Sequence, residues 1–376
     1  MKDAVIRSAD FTDEYAVHQL CVRNNLELDE YKETWDHLWN RNKYYTQDWE
    51  IGWVVEDSNK VVGFIGNIPR AYTFKDKIWV AGVARAFVVD EKYRKYSLQL
   101  IARFIKQNKS DVLIFSSANS EAGKVYELMH AEKMPQKEYE KDLFWIISPF
   151  NFLVSFFLKR NISAVFGYVL SLVFAPFLSL ISIYRRFLIV LKIKIKIKIK
   201  KQKIDNILVD NLPDEFDIFW NKLRDSNSDK FLAMRSATDI QWQFSKSISV
   251  EKKPRIFIVW EDREIKGYAI VTRQDSKKFK LERLMINDLM VINDRLDLVH
   301  SLINKILFYA KSEKVSVVQI VGLPSFIRDK INLLKPFVRK VPYHRFWYYP
   351  KNIKLSYDLH LEESWYASTY DGDSSL

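Results

Sequence analysis

The chain has 376 residues, 48% of them hydrophobic and 15% aromatic, enough for two domains with sizeable cores and unlike a disordered composition. One cysteine, Cys21, excludes an internal disulfide framework, and six histidines that form no cluster at ligand spacing lead to the expectation of no metal site. The net charge of +12 sits in one stretch: residues 1–147 hold 21 Lys+Arg against 23 Asp+Glu, 148–204 hold 11 against none, and 205–376 hold 27 against 24. That distribution argues against nucleic acid as a partner, which calls for a basic face on a folded domain.

The opening Met1-Lys2-Asp3-Ala4-Val5-Ile6-Arg7 lacks the apolar run of a signal peptide and reads as the start of a strand, so a cytoplasmic chain is expected. Residues 13–25 read as a short amphipathic helix, and 30–39 have helical polarity with Trp35 and Trp39 four apart. Residues 51–56 and 61–68 are strand-like and joined by the turn Asp57-Ser58-Asn59-Lys60, a hairpin. Residues 78–89 form a longer β-rich run. Residues 92–108 are helical, with Leu98, Ile101 and Ile105 on one stripe; 112–115 form a buried strand and 120–132 a second helix.

Residues 148–204 break this pattern. An apolar stretch, 149–158, ends at Lys159-Arg160, and 161–184 contain no charge over 24 residues, long enough to span a bilayer as a helix. Ser163, Gly167, Ser171, Ala175 and Ser179 recur every fourth residue, a small-residue stripe that permits close helix packing. Arg185, Arg186 and seven lysines follow, and residues 192–200 alternate strictly Lys and Ile, an amphipathic strand by period or a low-complexity linker. A polybasic cluster beside an apolar helix is attracted to anionic headgroups. The expectation is a helical hairpin or re-entrant segment, 149–203, on the inner leaflet of the cytoplasmic membrane. Its alternatives are a hairpin packed between the domains and a full span, which would put the two halves on opposite sides.

The remainder repeats the first third: strands at 255–260 and 266–272 around the turn Glu261-Asp262-Arg263-Glu264, a strand at 289–292, a helix at 295–310, a strand at 315–321 and a helix at 325–334. Val89 to Phe115 and Ile292 to Val318 are equal steps of 26 residues, so an internal duplication of one α/β unit is the simple reading. The domains expected are 1–147, the insert 148–204, and 205–376.

The stretch with chemistry in it is Val88-Val89-Asp90-Glu91-Lys92-Tyr93-Arg94, then a helix, a strand, and Asn119-Ser120-Glu121-Ala122-Gly123-Lys124-Val125-Tyr126. A strand running into a helix start makes an anion site from free N–H groups and the helix dipole, with Arg94 and Lys95 adding charge. Tyr126 is one turn beyond Ala122 and could give a proton to a leaving thiolate. The alternatives are a solvated helix start for Arg94 and Lys95, a core tyrosine for Tyr126, and a helix cap for Asn119.

On these residues the first 135 or so positions resemble the GNAT superfamily of N-acetyltransferases. The hairpin Trp53-Val54-Val55-Glu56 … Val61-Val62-Gly63-Phe64-Ile65-Gly66 looks like its central strands. Asn119, Ala122 and Tyr126 fall on its Asn-x-x-Ala-x-x-x-Tyr pattern. The resemblance implies a mixed-sheet α/β (α+β) fold in two tandem copies. It implies acetyl-CoA as acyl donor, with its pantetheine arm along Val88 and Val89, its pyrophosphate at Arg94, Lys95, Tyr96, Ser97, Leu98 and Gln99, and Asn119 close by. Tyr126 would be the general acid, and the acceptor an amine. The family's Arg/Gln-x-x-Gly-x-Gly/Ala is here Arg94-Lys95-Tyr96-Ser97-Leu98-Gln99, without the glycines that let backbone approach phosphate. The strand before it, Ala84-Arg85-Ala86-Phe87, carries no carboxylate to serve as general base; Glu121 or a water chain is what remains.

The second copy has Asn293-Asp294-Arg295-Leu296-Asp297-Leu298 at the same place, acidic where phosphate would sit. It resembles the C-terminal halves of tandem GNAT-like proteins of bacterial surface polysaccharide synthesis through Arg235-Ser236, Trp242-Gln243-Phe244 and Trp365-Tyr366-Ala367-Ser368 … Asp371-Gly372-Asp373, which implies a lipid-linked amino sugar as acceptor. Asp371-Gly372-Asp373 also fits an Asp-x-Asp metal motif, against the reading of a solvated acidic tail. The run 343–349 reads as a partly buried strand, with sugar stacking as the alternative. Two rival functions stand beside the acyltransferase: a non-catalytic membrane-associated binding subunit, and a Fem-like aminoacyl transferase, whose tRNA donor the near-neutral halves count against.

Overall fold

The computed structural model describes residues 4–26, 34–196, 202–245 and 252–373, with backbone alone at 186–196. In chain order the first elements are β1 (Val5–Ser8), α1 (Glu14–Arg23), β2 (Gly52–Asp57), β3 (Lys60–Phe74), β4 (Lys77–Val89), α2 (Ser97–Lys106), β5 (Val112–Phe115), α3 (Ser120–Leu128) and β6 (Glu132–Lys133). There follow β7 (Lys141–Ile146), α4 (Pro149–Lys159), α5 (Ala164–Lys196), β8 (Lys203–Leu208), α6 (Glu215–Ser226), β9 (Leu232–Ala233) and α7 (Ala237–Phe244). The last are β10 (Arg255–Glu261), β11 (Glu264–Arg273), β12 (Arg283–Val291), α8 (Leu296–Ser312), β13 (Val317–Ile320), α9 (Ser325–Asn332), β14 (Phe337–Lys340), β15 (Trp347–Pro350) and α10 (Ile353–Leu359). The fold is α/β with two mixed sheets and one long apolar helix, α5.

The chain divides into two compact units, and these do not follow the contiguous stretches 1–147, 148–204 and 205–376. One unit combines Met1–Glu140 with Asn227–Ser247 and Pro342–Leu376; the other combines Lys141–Ser226 with Ile248–Val341. Strand pairing is the reason. The first sheet has the order β1-β2-β3-β4-β5-β15-β6, so a strand from near the C-terminus sits antiparallel between β5 and β6. The second has the order β14-β7-β13-β12-β11-β10-β8, so β7, the strand that follows the first sheet's β6 in sequence, sits between β13 and β14.

In the first unit, α2 covers one face of the sheet. Its Leu100, Ile101 and Phe104 are buried against Trp53, Val55, Ile65, Leu113 and Phe115, the stripe that the 3.6-residue period dictates. Trp35 and Trp39 are buried with ring centroids 5.0 Å apart; residues 27–33, part of the expected helix at 30–39, lie outside the described residues. The expected helix at 92–108 is two pieces, a 3₁₀ turn Glu91–Tyr96 and then α2. The expected helix at 120–132 stops at Leu128, where His130 takes a left-handed conformation (φ 61°). Of the run 343–349 only the last three residues lie in β15, so the strand reading holds in part; Phe346, just before it, and Trp347 and Tyr348 within it are buried.

In the second unit, α8 buries Leu298, Val299, Leu302, Ile303, Ile306 and Ala310. The strand expected at 289–292 is the end of the longer β12. The helices α4 and α5 form a hairpin: Phe150 and Tyr168 have ring centroids 5.8 Å apart, and a Cβ on Gly167 would lie 3.3 Å from Cβ of Phe157. The small-residue stripe is what lets the two helices approach. At its base Phe152 stacks on Phe144, and the Arg185 guanidinium sits 4.1 Å from the ring centroid of Phe337. The outer face is bare: Val165, Leu172, Val173, Phe177, Leu180 and Ile183 are exposed. Ala164–Arg185, 22 residues, is long and apolar enough to cross a bilayer, and 11% of it is buried. The Lys-Ile alternation is helical through Lys196 rather than a strand, and 197–201 lie outside the described residues.

Candidate functional site

The first sheet splays open at one point. Strand β4 runs parallel to β5 only over Ala81↔Val112, Gly82↔Leu113 and Val83↔Ile114. Beyond that, Ala84–Val89 stays paired to β3 on one side, through Phe64↔Val88 and Gly63↔Val89, and among the described residues has no strand on the other. A bulge opposite Phe64/Gly66, with Ala86 at φ 51°, bends β4 away from β5. The result is a wedge with a free peptide edge at Val88 and Val89, a template for an extended ligand.

The wedge leads to the turn after β4. Asp90 is braced by Arg23 (2.8 Å) and Asn24 (2.7 Å), and Tyr93 donates its hydroxyl to Asp57. The 3₁₀ turn uses its own amides: Tyr93 N–H goes to the Asp90 carbonyl and Ser97 N–H to the Arg94 carbonyl. The donors that a helix start leaves open are therefore those of the first turn of α2, at Leu98 and Gln99. Tyr96 is buried, Ser97 is half-buried, and Leu98 and Gln99 are exposed, so the Gln99 side chain does not fill the wedge. Arg94 and Lys95 are exposed too. Arg94 lies 3.7 Å from Glu121, both side chains more than half exposed, a pair that water screens heavily. Glu121, the carboxylate left as a candidate base by the sequence, thus faces solvent.

Asn119 caps α3, its Oδ1 accepting from the amides of Glu121 (3.1 Å) and Ala122 (2.8 Å). Tyr126 is on the buried face of that helix, stacked on Phe115 with centroids 4.3 Å apart. Burial, and then the charge of Asp373, push its pKa up, so the phenol keeps its proton and remains a donor.

The tail supplies what the sequence alone does not reveal. Asp371 and Asp373 are buried, and the reading of a solvated acidic C-terminus is corrected. Gly372 approaches Ser116 so closely that an added Cβ would lie 1.8 Å from Oγ. The Asp373 carboxylate accepts from Ser116 (2.7 Å) and Ser117 (3.0 Å), and Arg85 on the open edge of β4 donates to its carbonyl at 2.8 Å. Asp371 is paired to Arg235 at 2.7 Å, so the two carboxylates of Asp-x-Asp are each engaged by protein groups. Among the described residues no group of three or more His, Cys, Asp or Glu is placed to hold a metal.

In the second unit β12 also outruns its parallel partner, β13, pairing only from Arg283↔Val317 to Ile286↔Ile320. Here the turn is filled: Arg295 is bound by Glu261 (2.5 Å) and Asp297 (2.6 Å), carboxylates that would repel a phosphate.

No protein-family model matches the chain, and no curated protein matches its sequence. Solved structures do. A GCN5-related N-acetyltransferase of Anabaena variabilis superposes with a TM-score of 0.56 at 12% identity over 93% of this chain and 74% of that one. A probable N-acyltransferase of Enterococcus faecalis gives 0.57 at 8% identity over 96% and 75%. The N-myristoyltransferase of Saccharomyces cerevisiae, solved with myristoyl-CoA and inhibitors, gives 0.54 at 13% identity over 93% and 81%. At these identities the likeness is one of fold: the chain has the fold of GCN5-related N-acetyltransferases.

Proposed function

We propose that the first unit transfers an acyl group from acyl-CoA, with acetyl-CoA as donor, to an amine. The observation that carries this is the open edge of β4 at Ala84–Val89 running into the start of α2. The pantetheine arm would pair with the peptide edge at Val88 and Val89, and the diphosphate would meet the amides of Leu98 and Gln99, with Arg94, Lys95 and Ser97 around it. Tyr126 would donate to the departing sulfur. Acetyl-CoA titrated calorimetrically into the full chain in detergent tests the reading. Saturable heat and a raised Tm are expected; a folded chain that binds no acetyl-CoA refutes it.

The bare face of α5 and the arginines and lysines that follow it support attachment to the inner face of the cytoplasmic membrane. An acceptor held there, such as a lipid-linked amino sugar, would be within reach of a membrane-bound enzyme. One observation favours the second reading, a non-catalytic binding subunit: the turn Glu91–Tyr96 consumes amides that a diphosphate would need. The same titration separates the two.

A further inference from the structure

We infer that Asp373 is the general base of the acyl transfer, taking over the place of the carboxylate missing from Ala84-Arg85-Ala86-Phe87. The inference rests on the acyltransferase reading of the first unit. Asp373 is tied to both walls of the wedge. Its carbonyl accepts from Arg85 on β4, its amide donates to Ser116 at 2.9 Å, and its carboxylate oxygens accept from Ser116 and Ser117 just past β5. It is also beside Tyr126, on whose phenol its charge acts. Asp373 thus bridges β4 and the residues just past β5.

The partners of the two tail carboxylates differ in kind. Asp371 faces the guanidinium of Arg235, a fixed positive charge. The Asp373 carboxylate is held by two neutral hydroxyls and, among the described residues, by no cation. A carboxylate has about four lone-pair sites, so two remain for an incoming N–H. Its position is set by a buried network further back in the tail. Arg70 donates to the carbonyls of Tyr370 (2.5 Å) and Gly372 (3.2 Å), Gln136 to that of Ala367 (2.9 Å), and Tyr72 to that of Asp371. A group held this rigidly needs little reorganisation when it takes a proton.

The step balances as follows. A protonated primary amine gives one N–H proton to Asp373. The freed nitrogen lone pair attacks the thioester carbonyl carbon and forms the C–N bond. As the tetrahedral adduct collapses, the C–S bond breaks and sulfur leaves with the electron pair. Tyr126 gives its proton to that sulfur and regains one from the nitrogen, so it ends unchanged. The products are an amide and CoA thiol, and Asp373 releases its proton to solvent.

The test compares two small amines with acetyl-CoA and the full chain in detergent. Ethylamine is protonated near neutral pH and needs a base; hydroxylamine is already neutral there and does not. Asp373→Asn should lower ethylamine turnover by about 10²-fold and leave hydroxylamine turnover and acetyl-CoA affinity close to wild type, with Asp373→Glu recovering part of the loss. If Asp373→Asn misfolds, Ser117→Ala replaces it and must show the same selectivity. Equal losses with both amines, or none, overturn the inference and leave the acyltransferase reading standing. A wild-type chain that binds no acetyl-CoA and acylates neither amine overturns both.

Discussion

Arg235 and Asp371 form an ion pair of 2.7 Å in which both side chains are shut off from water. The guanidinium also lies over the ring of Tyr370, 4.7 Å from its centroid. Removing one member of such a pair strands a buried charge, at a cost of about 3–5 kcal/mol. Arg235→Met should lower the unfolding free energy of the first unit by that much, measured by urea denaturation, and Arg235→Met with Asp371→Asn should recover part of the loss. A single variant with wild-type stability contradicts this account of the tail.

Gly372→Ala is expected to lift the tail from its seat. The new methyl would fall 1.8 Å from Oγ and 2.1 Å from Cβ of Ser116, so one of them must move. Overpacking of this kind costs about 1–3 kcal/mol. The variant should stay folded yet lose ethylamine turnover, read by release of CoA thiol.

Tyr126→Phe should reduce kcat by about 10²-fold if its hydroxyl serves the leaving sulfur. Stability should change little, because the ring stacked on Phe115 is retained and no hydrogen bond of the hydroxyl exists among the described residues to be lost. Full turnover in this variant removes the tyrosine from the mechanism.

His300 makes the second unit acid-sensitive. It is buried on α8, and burial lowers its pKa from 6.5, against the opposing pull of the Lys330 carbonyl at 2.9 Å and of Asp297. Below about pH 6.5 the unfolded chain therefore binds a proton that the folded chain refuses. Stability is complete above that pH and declines as pH falls through it. His300→Gln should flatten this part of the curve of denaturation midpoint against pH; an unchanged slope would assign the sensitivity elsewhere.

The hairpin should bind membranes. The full chain is expected to sediment with vesicles rich in phosphatidylserine and to come off partly at high salt. Replacing Leu172, Phe177 and Leu180, all exposed on α5, by serine should abolish sedimentation. Sedimentation that survives those changes would put the attachment elsewhere.

What the sequence shows is local. β5 at Val112–Phe115 and the hairpin β2–β3 follow from residue periodicity and turn chemistry that a short window contains. So does the step from Val88 and Val89 into a helix. The exchange of β7 and β15 is not readable, because a strand's own pattern names the face it buries and not the neighbour it joins. Asp373 is missed for the same reason. In its own surroundings, Asp371-Gly372-Asp373-Ser374-Ser375, it looks solvated; its burial is decided by Ser116, Arg70 and Arg235, far away along the chain. Sequence could have found it only by asking where a displaced base might come from once Ala84–Phe87 offered none.

The placement of β15 bears on biosynthesis. Residues up to 140 leave the ribosome long before Trp347–Pro350 are made, and at about 5–20 residues per second the delay is on the order of tens of seconds. During it the sheet of the first unit lacks the strand between β5 and β6, and β5 exposes an edge able to pair with foreign chains. A nascent chain would thus be vulnerable to aggregation in that interval, and any chain released short of residue 350 would be left with that edge open.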